Sequence, residues 1–380
     1  MRLLFYIAAA VTVAAVGSAA PAAVGSFSDG AVKAKSYSKL AFSPDGILFV
    51  GDSIGARIYA LDLGDRQRVD AMKPLDVGDV EGKIAAMLGG DPRDVMIHDM
   101  AVNPMSKNIY LTVSRGRRSF TGQWQLPNDV ANASVLLRVT PAGAIEAVRL
   151  DRVKLSALDI ANPVNDKAEV DWKKVKQRVD TISDMVFIDG KLYVAGLSNE
   201  EFSSTMRIYP FPFDGTGTST TLEIYHGAHA KWETDSPIRS FLPYRIQGKS
   251  YLMASYLCTP LVLFPLDSLK DKTHVKGTTI AELGYGNYPI DMVAYRSQGK
   301  DYVMIVNSTR GLMQIKAEDL QKPASAITTP VPPGSGTPAE HLRGQGVMQV
   351  ENYGDNYLLR LARNTFTGEM TLSTVALNQE

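Results

Sequence analysis

The feature that most constrains this chain is a β unit that recurs six times along the sequence. Each copy has an opening residue, an apolar stretch, a tight turn and a second apolar strand. Residues 43–46, Ser-Pro-Asp-Gly, fit a type I turn, and Asp189-Gly190 is a hairpin signal. The spacing of about 52–85 residues suits a four-stranded sheet with its loops. The copies open at Lys39, Asp99, Asp184, Arg239, Asp291 and Val347.

Each copy is followed by further apolar segments that we assign as its third and fourth strands. The fourth strand is weak in the first copy (residues 69–77), lies at 326–329 in the fifth, and is missing in the sixth. Residues 31–37, just before the first copy, form an orphan strand. Pairing this strand onto the last copy closes a ring and removes two exposed sheet edges. The sequence therefore predicts an all-β ring of six sheets, closed by an N-terminal strand that completes the last sheet.

A seventh sheet within residues 151–180 is the alternative to this count. That stretch is heavily charged, and Trp172, Val175 and Val179 have helical spacing, which favours an inserted helix. We therefore predict a single domain over residues 23–380, with a helical insertion near 151–180.

One repeat carries a resemblance to a known family. The segment Leu40-Ala-Phe-Ser-Pro-Asp-Gly-Ile-Leu-Phe-Val50, followed by Ala56-Arg-Ile-Tyr-Ala-Leu-Asp62, resembles the repeat of NHL-type and gluconolactonase-type six-bladed β-propellers. The pattern extends over most of the mature chain. The resemblance implies the fold only, because that fold hosts lactonases, esterases, quinone-dependent sugar dehydrogenases and binding modules.

The first 22 residues have the pattern of a cleaved signal peptide. Arg2 precedes an apolar run that ends at Val16, and residues 20–22, Ala-Pro-Ala, fit a cleavage site. The run is too short to span a bilayer as a helix, although an uncleaved anchor is the alternative. We expect a secreted or periplasmic protein that has no membrane contact after cleavage.

Composition narrows the possible partners. The chain has 40 Lys and Arg against 40 Asp and Glu, and this balance gives no general attraction for nucleic acid. Its single Cys excludes a disulfide framework within the monomer. We therefore expect a small molecule, a glycan or a protein as the partner, at the mouth of the central channel.

Most of the long connecting segments are predicted to lie on one face of the ring, where the innermost strands begin. Long loops on a rigid scaffold are more often functional than tight turns, so we place the binding site on this face. Insertions without function are the alternative. The segments are 77–97, 114–134, 151–181, 226–237 and 330–346.

The residues that open the innermost strands are expected to surround the channel mouth, and five of them are candidate ligand-binding residues. In gluconolactonase-type propellers such positions supply oxygen ligands to calcium, but two positions here carry cations, which repel a hard metal. An ion-pair girdle, an organic-ligand site and a metal site all remain open. The five are Lys39, Asp99, Asp184, Arg239 and Asp291.

Three further residues are candidates for the same site. His98 is the candidate catalytic residue, because a neutral imidazole beside a carboxylate can act as a general base. A hydrogen-bonded core histidine is the alternative. Arg115 and Trp124 belong to a basic loop with aromatic residues that can grip an anionic sugar or a carboxylate. A solvated loop tip is the alternative there.

His226 and His229, followed by Glu233, have donor atoms that zinc or copper accepts. Their spacing is not that of a His-Glu-x-x-His helix, and a polar loop is the alternative, so we predict no metal. Cys258 is either a thiol nucleophile or a buried residue.

The sequence identifies no cofactor and leaves open whether the protein is an enzyme. The favoured hypothesis is an exported propeller that binds its partner on the long-loop face. The alternatives are a metal-dependent lactonase or esterase and a quinone-dependent sugar or alcohol dehydrogenase. In the latter, Lys39, Arg239 or the arginines near Arg115 hold the cofactor and His98 removes a proton.

Overall fold

The computed structural model describes residues 27–69, 72–115, 134–166, 178–258, 260–322, 326–344 and 346–377, with the backbone alone of 117–118 and 124–125. The predicted signal peptide lies outside these ranges, so export stays a prediction. Within the described residues, no helix is long and apolar enough to cross a membrane.

The strands form six sheets around a channel, and the chain is therefore a six-bladed β-propeller, as the repeat predicts. The count is six rather than seven. We number the blades by the position of the innermost strand in the sequence and describe each from the channel outward. Blade 1 contains Leu40–Phe42, Leu48–Asp52, Arg57–Asp62, Val153–Asp159 and Ser28–Gly30; blade 2 contains Val95–Val102, Ile109–Arg115, Ser134–Val139 and Ile145–Ala147. Blade 3 contains Asp184–Ile188, Lys191–Leu197, Ser204–Pro210, Thr218–His226 and Lys231–Glu233; blade 4 contains Ser240–Ile246, Lys249–Ser255, Pro260–Pro265, Thr278–Glu282 and Ser335–Gly336. Blade 5 contains Pro289–Ser297, Lys300–Asn307, Gly311–Lys316 and Glu340–Leu342; blade 6 contains Val347–Asn352, Tyr357–Arg363, Met370–Ala376 and Asp76–Val77.

A few short elements lie outside this pattern. The helix Val80–Leu88 begins where the Asp79 side chain accepts the N–H of Gly82, and it ends at Gly89, whose φ is 70°. A carboxylate at the start and a left-handed glycine at the end are common helix caps. The others are the helix Ala317–Leu320, the 3₁₀ turns Pro92–Asp94, Arg178–Thr181 and Leu266–Ser268, the paired strands Arg117–Arg118 and Trp124–Gln125, and Thr273–Lys276, which runs parallel to Thr218–His226.

The order of the blades around the ring differs from their order in the chain. The innermost strands contact one another in the order 2, 1, 3, 4, 5, 6 and back to 2. The cores between blades agree with this order. Leu111 of blade 2 and Leu359 of blade 6 share one core, and Phe49 of blade 1 stacks on Phe187 of blade 3 with ring centroids 5.4 Å apart. Blade 2 therefore lies between blades 1 and 6.

Two outer strands are exchanged at this junction. The chain leaves the third strand of blade 1 and first adds Asp76–Val77 to the outside of blade 6, against Met370–Ala376. It then forms blade 2, and only afterwards supplies Val153–Asp159, the fourth strand of blade 1. The N-terminal strand Ser28–Gly30 pairs on the far side of that strand. The exchange ties blades 1, 2 and 6 together and closes the ring.

The predicted closure by residues 31–37 is therefore wrong, and so is the fourth strand of blade 1 at 69–77. The physical reason is that residues 31–37 have a different partner. The N–H groups of Lys35 and Ser36 donate to the carboxylate of Asp52, at 2.8 and 2.9 Å. A side chain thus holds this segment near the channel, and the segment does not pair as a strand.

The predicted fourth strand of blade 5 at 326–329 is also wrong. The N–H of Ile327 donates to the carbonyl of Thr279 in blade 4 at 2.9 Å, so the chain crosses to the neighbouring blade at this point. It returns to blade 5 only at Glu340–Leu342.

The segment in which we predict a helical insertion begins with the strand Val153–Asp159. Residues 167–177, which include Trp172 and Val175, lie outside the described residues. Val179 lies in the 3₁₀ turn Arg178–Thr181. The inserted helix therefore stays a prediction.

Candidate functional site

Three aspartates of the innermost strands connect neighbouring blades. Each accepts the backbone N–H of a residue on the next innermost strand around the ring. Asp99 accepts from Leu40 at 2.7 Å, Asp184 from Phe241 at 2.9 Å and Asp291 from Val350 at 2.9 Å. These bonds join blade 2 to 1, blade 3 to 4 and blade 5 to 6. In ring order, a blade that carries an aspartate therefore alternates with a blade that donates to one.

The methionines that follow these aspartates face away from the channel. Met100, Met185 and Met292 are all buried in the cores between blades. Successive side chains of a strand point to opposite faces, so one residue of each pair reaches the channel and the other the core.

In the other three blades, the residues at the inward position stand one residue before the N–H donors. They are Lys39, Ser240 and Gln349. The openings of the fourth and sixth copies therefore lie one and two residues too early, at Arg239 and Val347. In the sixth copy, a β-bulge between Val347 and Gln349 shifts the register of the innermost strand. A bulge inserts an extra residue and turns the next side chain to the other face.

Lys39 lies among the channel carboxylates. Its Nζ is 3.1 Å from Oδ1 of Asp99, and the two side chains retain 19% and 14% of their exposure, so water in the channel reaches both. Burial opposes the charge on Lys39, but the carboxylates of Asp99, Asp184 and Asp291 outweigh it and raise the lysine pKa. The described residues of the channel show one ion pair, Lys39 with Asp99, and the ion-pair girdle expected from the sequence stays a prediction.

The sequence analysis missed a fourth channel acid, Glu351. It lies two residues after Gln349 on the same strand, and the two-residue period of a strand was the available signal. Burial raises the pKa of Glu351 to about 7, with help from the charges of Asp99 and Asp184. Burial also raises the pKa of Asp184 to about 7 and that of Asp291 well above its usual value. The channel therefore holds protons near neutral pH.

These carboxylates do not suit the calcium site of gluconolactonase-type propellers. In the described part of the chain, they do not converge as a set of ligand atoms, and their oxygens already accept backbone N–H groups. Lys39 also contributes a positive charge in their midst.

A cavity of about 360 Å³ opens at the mouth of the channel, on the face where the innermost strands begin. It brings together Lys39, His98 and Arg239, three of the residues that we select from the sequence. Eight of its other lining residues carry a hydroxyl group, although most of the accessible lining surface is apolar. The hydroxyl-bearing residues are Ser36, Tyr37, Ser38, Ser53, Ser114, Ser134, Ser183 and Tyr288.

Arg239 lines one side of the cavity. Its Nη1 donates to Oδ1 of Asp180 at 2.7 Å, and its guanidinium lies 4.9 Å from the centre of the Tyr288 ring. Asp180 belongs to the 3₁₀ turn Arg178–Thr181. The sequence analysis missed Asp180 and Tyr288, because nothing in the local pattern ties either residue to Arg239.

His98 reaches the cavity from a β-bulge in the innermost strand of blade 2, where it is the residue without a partner across the ladder. Its Nε2 lies 2.7 Å from Oγ of the buried Ser114. Burial and the charge of Lys39 lower the pKa of His98 to about 4. The imidazole is therefore neutral at pH 7, but it is a weaker base than a histidine that titrates near that pH. The general-base role itself stays a prediction.

The remaining selected residues lie outside this cavity. Arg115 follows Ser114 but does not line the cavity, and of Trp124 only the backbone is described, paired with Arg118. Asp99, Asp184 and Asp291 lie in the channel and do not line the cavity. Ligand binding by these residues stays a prediction.

His226 and His229 lie together at the outer edge of blade 3. The structure places Cys258, from a loop of blade 4, beside them, with the nearest donor atoms of the three residues within 4.8 Å of one another. We call His226, His229 and Cys258 the rim cluster. None of its members lines the channel-mouth cavity. The sequence analysis treated Cys258 separately, because it is distant in the chain and belongs to another blade.

No family model matches the chain, and no curated protein matches it. Among solved structures, the chain is similar to a putative oxidoreductase (glucose dehydrogenase) from Thermus thermophilus at 12% identity and a TM-score of 0.33, over 92% of this chain and 100% of that one. It is also similar to Raptor from Chaetomium thermophilum at 8% identity and a TM-score of 0.35, over 93% of this chain but 29% of Raptor. The propeller class rests on the topology described above, and these likenesses say nothing about activity.

Proposed function

We propose that the protein binds a small, neutral, polyhydroxylated molecule, such as a monosaccharide or a related polyol, in the channel-mouth cavity. The observation that carries the proposal is the lining of this cavity. Its two cations, Lys39 and Arg239, already have carboxylate partners, and eight of its residues, two of them tyrosines, carry a hydroxyl group. A ligand that has hydroxyl groups and an apolar face suits such a lining.

The lining supports a ligand that has both hydroxyl groups and an apolar face. A serine hydroxyl can both donate to and accept from a sugar hydroxyl, although those of Ser36, Ser38 and Ser53 already bond within the protein. Tyr37 and Tyr288 add aromatic rings against which an apolar face of a sugar can pack. The volume of about 360 Å³ lies at the lower end of the range for small-molecule sites and suits a ligand of one ring.

The charges support a neutral ligand over an anionic one. Both cations of the site already have carboxylate partners, Lys39 with Asp99 and Arg239 with Asp180. An anionic ligand must compete with these carboxylates. The same pairing disfavours the quinone hypothesis, which needs free cations for the carboxylates of the cofactor. If the signal peptide functions as its pattern predicts, the ligand is one present outside the cytoplasm.

The test is calorimetric titration of the mature protein with a panel of neutral monosaccharides and polyols, beside the matching sugar acids. We expect a neutral member to bind. Tyr288→Ala removes an exposed ring of the lining and should weaken that binding about tenfold, while leaving the melting temperature unchanged. Arg360→Met, at an exposed arginine of blade 6, is the control. Equal affinity in Tyr288→Ala, or binding of the sugar acids alone, contradicts the proposal.

A further inference from the structure

The rim cluster has the atoms of a metal site at the junction of blades 3 and 4. His226 ends the strand Thr218–His226, His229 lies in the following turn, and Cys258 lies in the loop after Lys249–Ser255. Two imidazoles and a thiol thus converge from two blades. The nearest donor atoms lie within 4.8 Å of one another, close enough for one ion to contact all three after small side-chain movements.

A single carboxylate orients both histidines. Glu233 is buried, and its two oxygens lie 3.1 Å from Nδ1 of His226 and 2.8 Å from Nδ1 of His229. Ser236 donates its hydroxyl to the same carboxylate at 2.6 Å. Each histidine therefore has its Nδ1 engaged, which leaves Nε2 free for another partner. Histidines that bind metals are commonly held in this way by a carboxylate.

The free nitrogen of His226 is the independent observation that points to a ligand. The residue is only 1% exposed, and its Nε2 is buried without any hydrogen-bond partner among the described residues. A histidine packed for structural reasons alone normally has both ring nitrogens satisfied. A metal ion supplies the partner that this nitrogen lacks.

Negative charge surrounds the cluster. Glu282 accepts the N–H of Gly227 through Oε1 at 2.5 Å, and its Oε2 is buried without a partner among the described residues. Glu233 is a second carboxylate beside the histidines. Lys231 offsets part of its charge from 3.4 Å away. Carboxylates beside the cluster favour a cation at this position.

Solvent can reach the cluster through His229 and, to a lesser extent, through Cys258. The side chain of His229 is 44% exposed, while Glu233 behind it is 5% exposed. An ion can therefore enter from the rim, and a water molecule can complete its coordination. Three protein ligands with one open position is a common arrangement at zinc sites.

We propose that His226, His229 and Cys258 bind a zinc ion, with Glu233 as the residue that positions both histidines. Imidazole and thiolate are ligands that zinc favours, whereas calcium and magnesium prefer oxygen. The proposal does not depend on the sugar site, because none of these residues lines the channel-mouth cavity. Failure of sugar binding therefore leaves it intact.

The experiment uses the mature protein with reduced cysteine, titrated with Co²⁺ as a spectroscopic substitute for zinc. We expect binding of one ion per chain, a thiolate-to-cobalt charge-transfer band, and loss of that band when Zn²⁺ is added. His229→Ala should lower the affinity for Co²⁺ by roughly a hundredfold or more, and this exposed side chain can be removed without opening the core. His341→Ala, at an exposed histidine of blade 5, should bind as the parent protein does.

Cys258→Ser separates binding from folding. This variant should lose the charge-transfer band and bind Co²⁺ more weakly, with an unchanged melting temperature in the absence of metal. The proposal is overturned if the band persists in Cys258→Ser, or if His341→Ala loses as much affinity as His229→Ala. Binding of Cu²⁺ without binding of Co²⁺ or Zn²⁺ overturns the assignment to zinc.

Discussion

The channel and the rim cluster both gather acidic and basic side chains, but the channel aspartates have hydrogen-bond partners of a kind that two atoms of the rim region lack. In the channel, Asp99, Asp184 and Asp291 each accept a backbone N–H from the next blade. At the rim cluster, Nε2 of His226 is buried without a partner among the described residues, as is Oε2 of the adjacent Glu282. Similar residue types therefore serve two purposes. The channel aspartates join the blades, whereas the rim cluster offers atoms that a ligand must satisfy.

A buried carboxylate can have its hydrogen bonds and still be unfavourable in its charged form. The channel carboxylates have their hydrogen bonds, yet burial still raises the pKa of Asp184 and Glu351 to about 7. Hydrogen-bond donors alone are thus not enough to keep a buried carboxylate ionised, and a proton is bound instead. At the rim cluster we propose that a metal ion has the corresponding role. In this interpretation, a proton neutralises a channel carboxylate and a metal ion occupies the rim cluster. Substitutions can test each assignment.

The largest effect is expected at Asp99. Asp99→Ala removes the acceptor of the Leu40 N–H and the ion-pair partner of Lys39. Because breaking a buried pair leaves an uncompensated charge, we expect the free energy of unfolding to fall by about 3 kcal/mol. Urea denaturation at pH 7 measures the change.

Two further variants separate the causes. Adding Lys39→Met to Asp99→Ala removes the unpaired charge and should recover part of the loss. Asp355→Ala, at an exposed aspartate of blade 6, is the matched control. If Asp99→Ala costs no more than the control, the channel aspartates do not join the blades and the comparison fails.

The sequence could predict the number of blades, because each repeat carries its own strand and turn pattern. It could not predict the order of the blades around the ring. That order depends on which outer strand pairs with which blade, and Asp76–Val77 is too short to carry a periodic pattern. The true fourth strand of blade 1, Val153–Asp159, follows a complete intervening blade. Nothing local to either segment indicates its partner.

The candidate site was predictable to a similar degree. The opening residues of the repeats predict Lys39 and the three aspartates at the channel mouth, and the structure brings them together in the channel, although only Lys39 lines the cavity at its mouth. The prediction for the last copy failed at a β-bulge, which shifts the inward position from Val347 to Gln349. The partners of Arg239 and of the rim histidines were missed in part, because Tyr288 and Cys258 come from other blades. Residues that contact each other across two blades are far apart in the sequence, so no local pattern indicates the contact.

An intermediate effect is expected at Glu233, which binds no metal itself in our proposal. Glu233→Gln keeps all three ligands but removes the charge and one of the two acceptors that orient His226 and His229. Loss of such a supporting carboxylate typically lowers metal affinity ten- to a hundredfold. We expect that loss for Co²⁺, measured by titration.

The spectrum distinguishes positioning from a structural role. The thiolate-to-cobalt band should persist in Glu233→Gln once the protein is saturated, because Cys258 is unchanged. Glu201→Gln, at an exposed glutamate of the same blade, should leave the affinity as it is. If the affinity of Glu233→Gln for Co²⁺ is unchanged, the histidines need no orientation by Glu233. Glu233 is then not a positioning residue of the proposed zinc site.

The smallest effect, and the one that tests the role of the proton, is expected at Glu351. Its pKa is about 7 in the folded protein, whereas a glutamate in an unfolded chain titrates near ~4.3. Between these pH values the folded state keeps a proton that the unfolded state has lost. The contribution of Glu351 to the free energy of unfolding is therefore most favourable at low pH, and it falls as the pH rises towards 7.

Glu351→Gln removes the ionisable group and should make the protein more stable than the parent at pH 8. Because Glu351 is only partly buried and water offsets part of the cost of its charge, we expect a gain on the order of 1–2 kcal/mol at pH 8 that vanishes near pH 4. Melting temperatures of both proteins across this range measure the difference, and Glu201→Gln should show no such trend. If Glu351→Gln is less stable than the parent at pH 8, the ionised carboxylate is favourable in the channel. Protonation of Glu351 is then not what makes its burial in the channel tolerable.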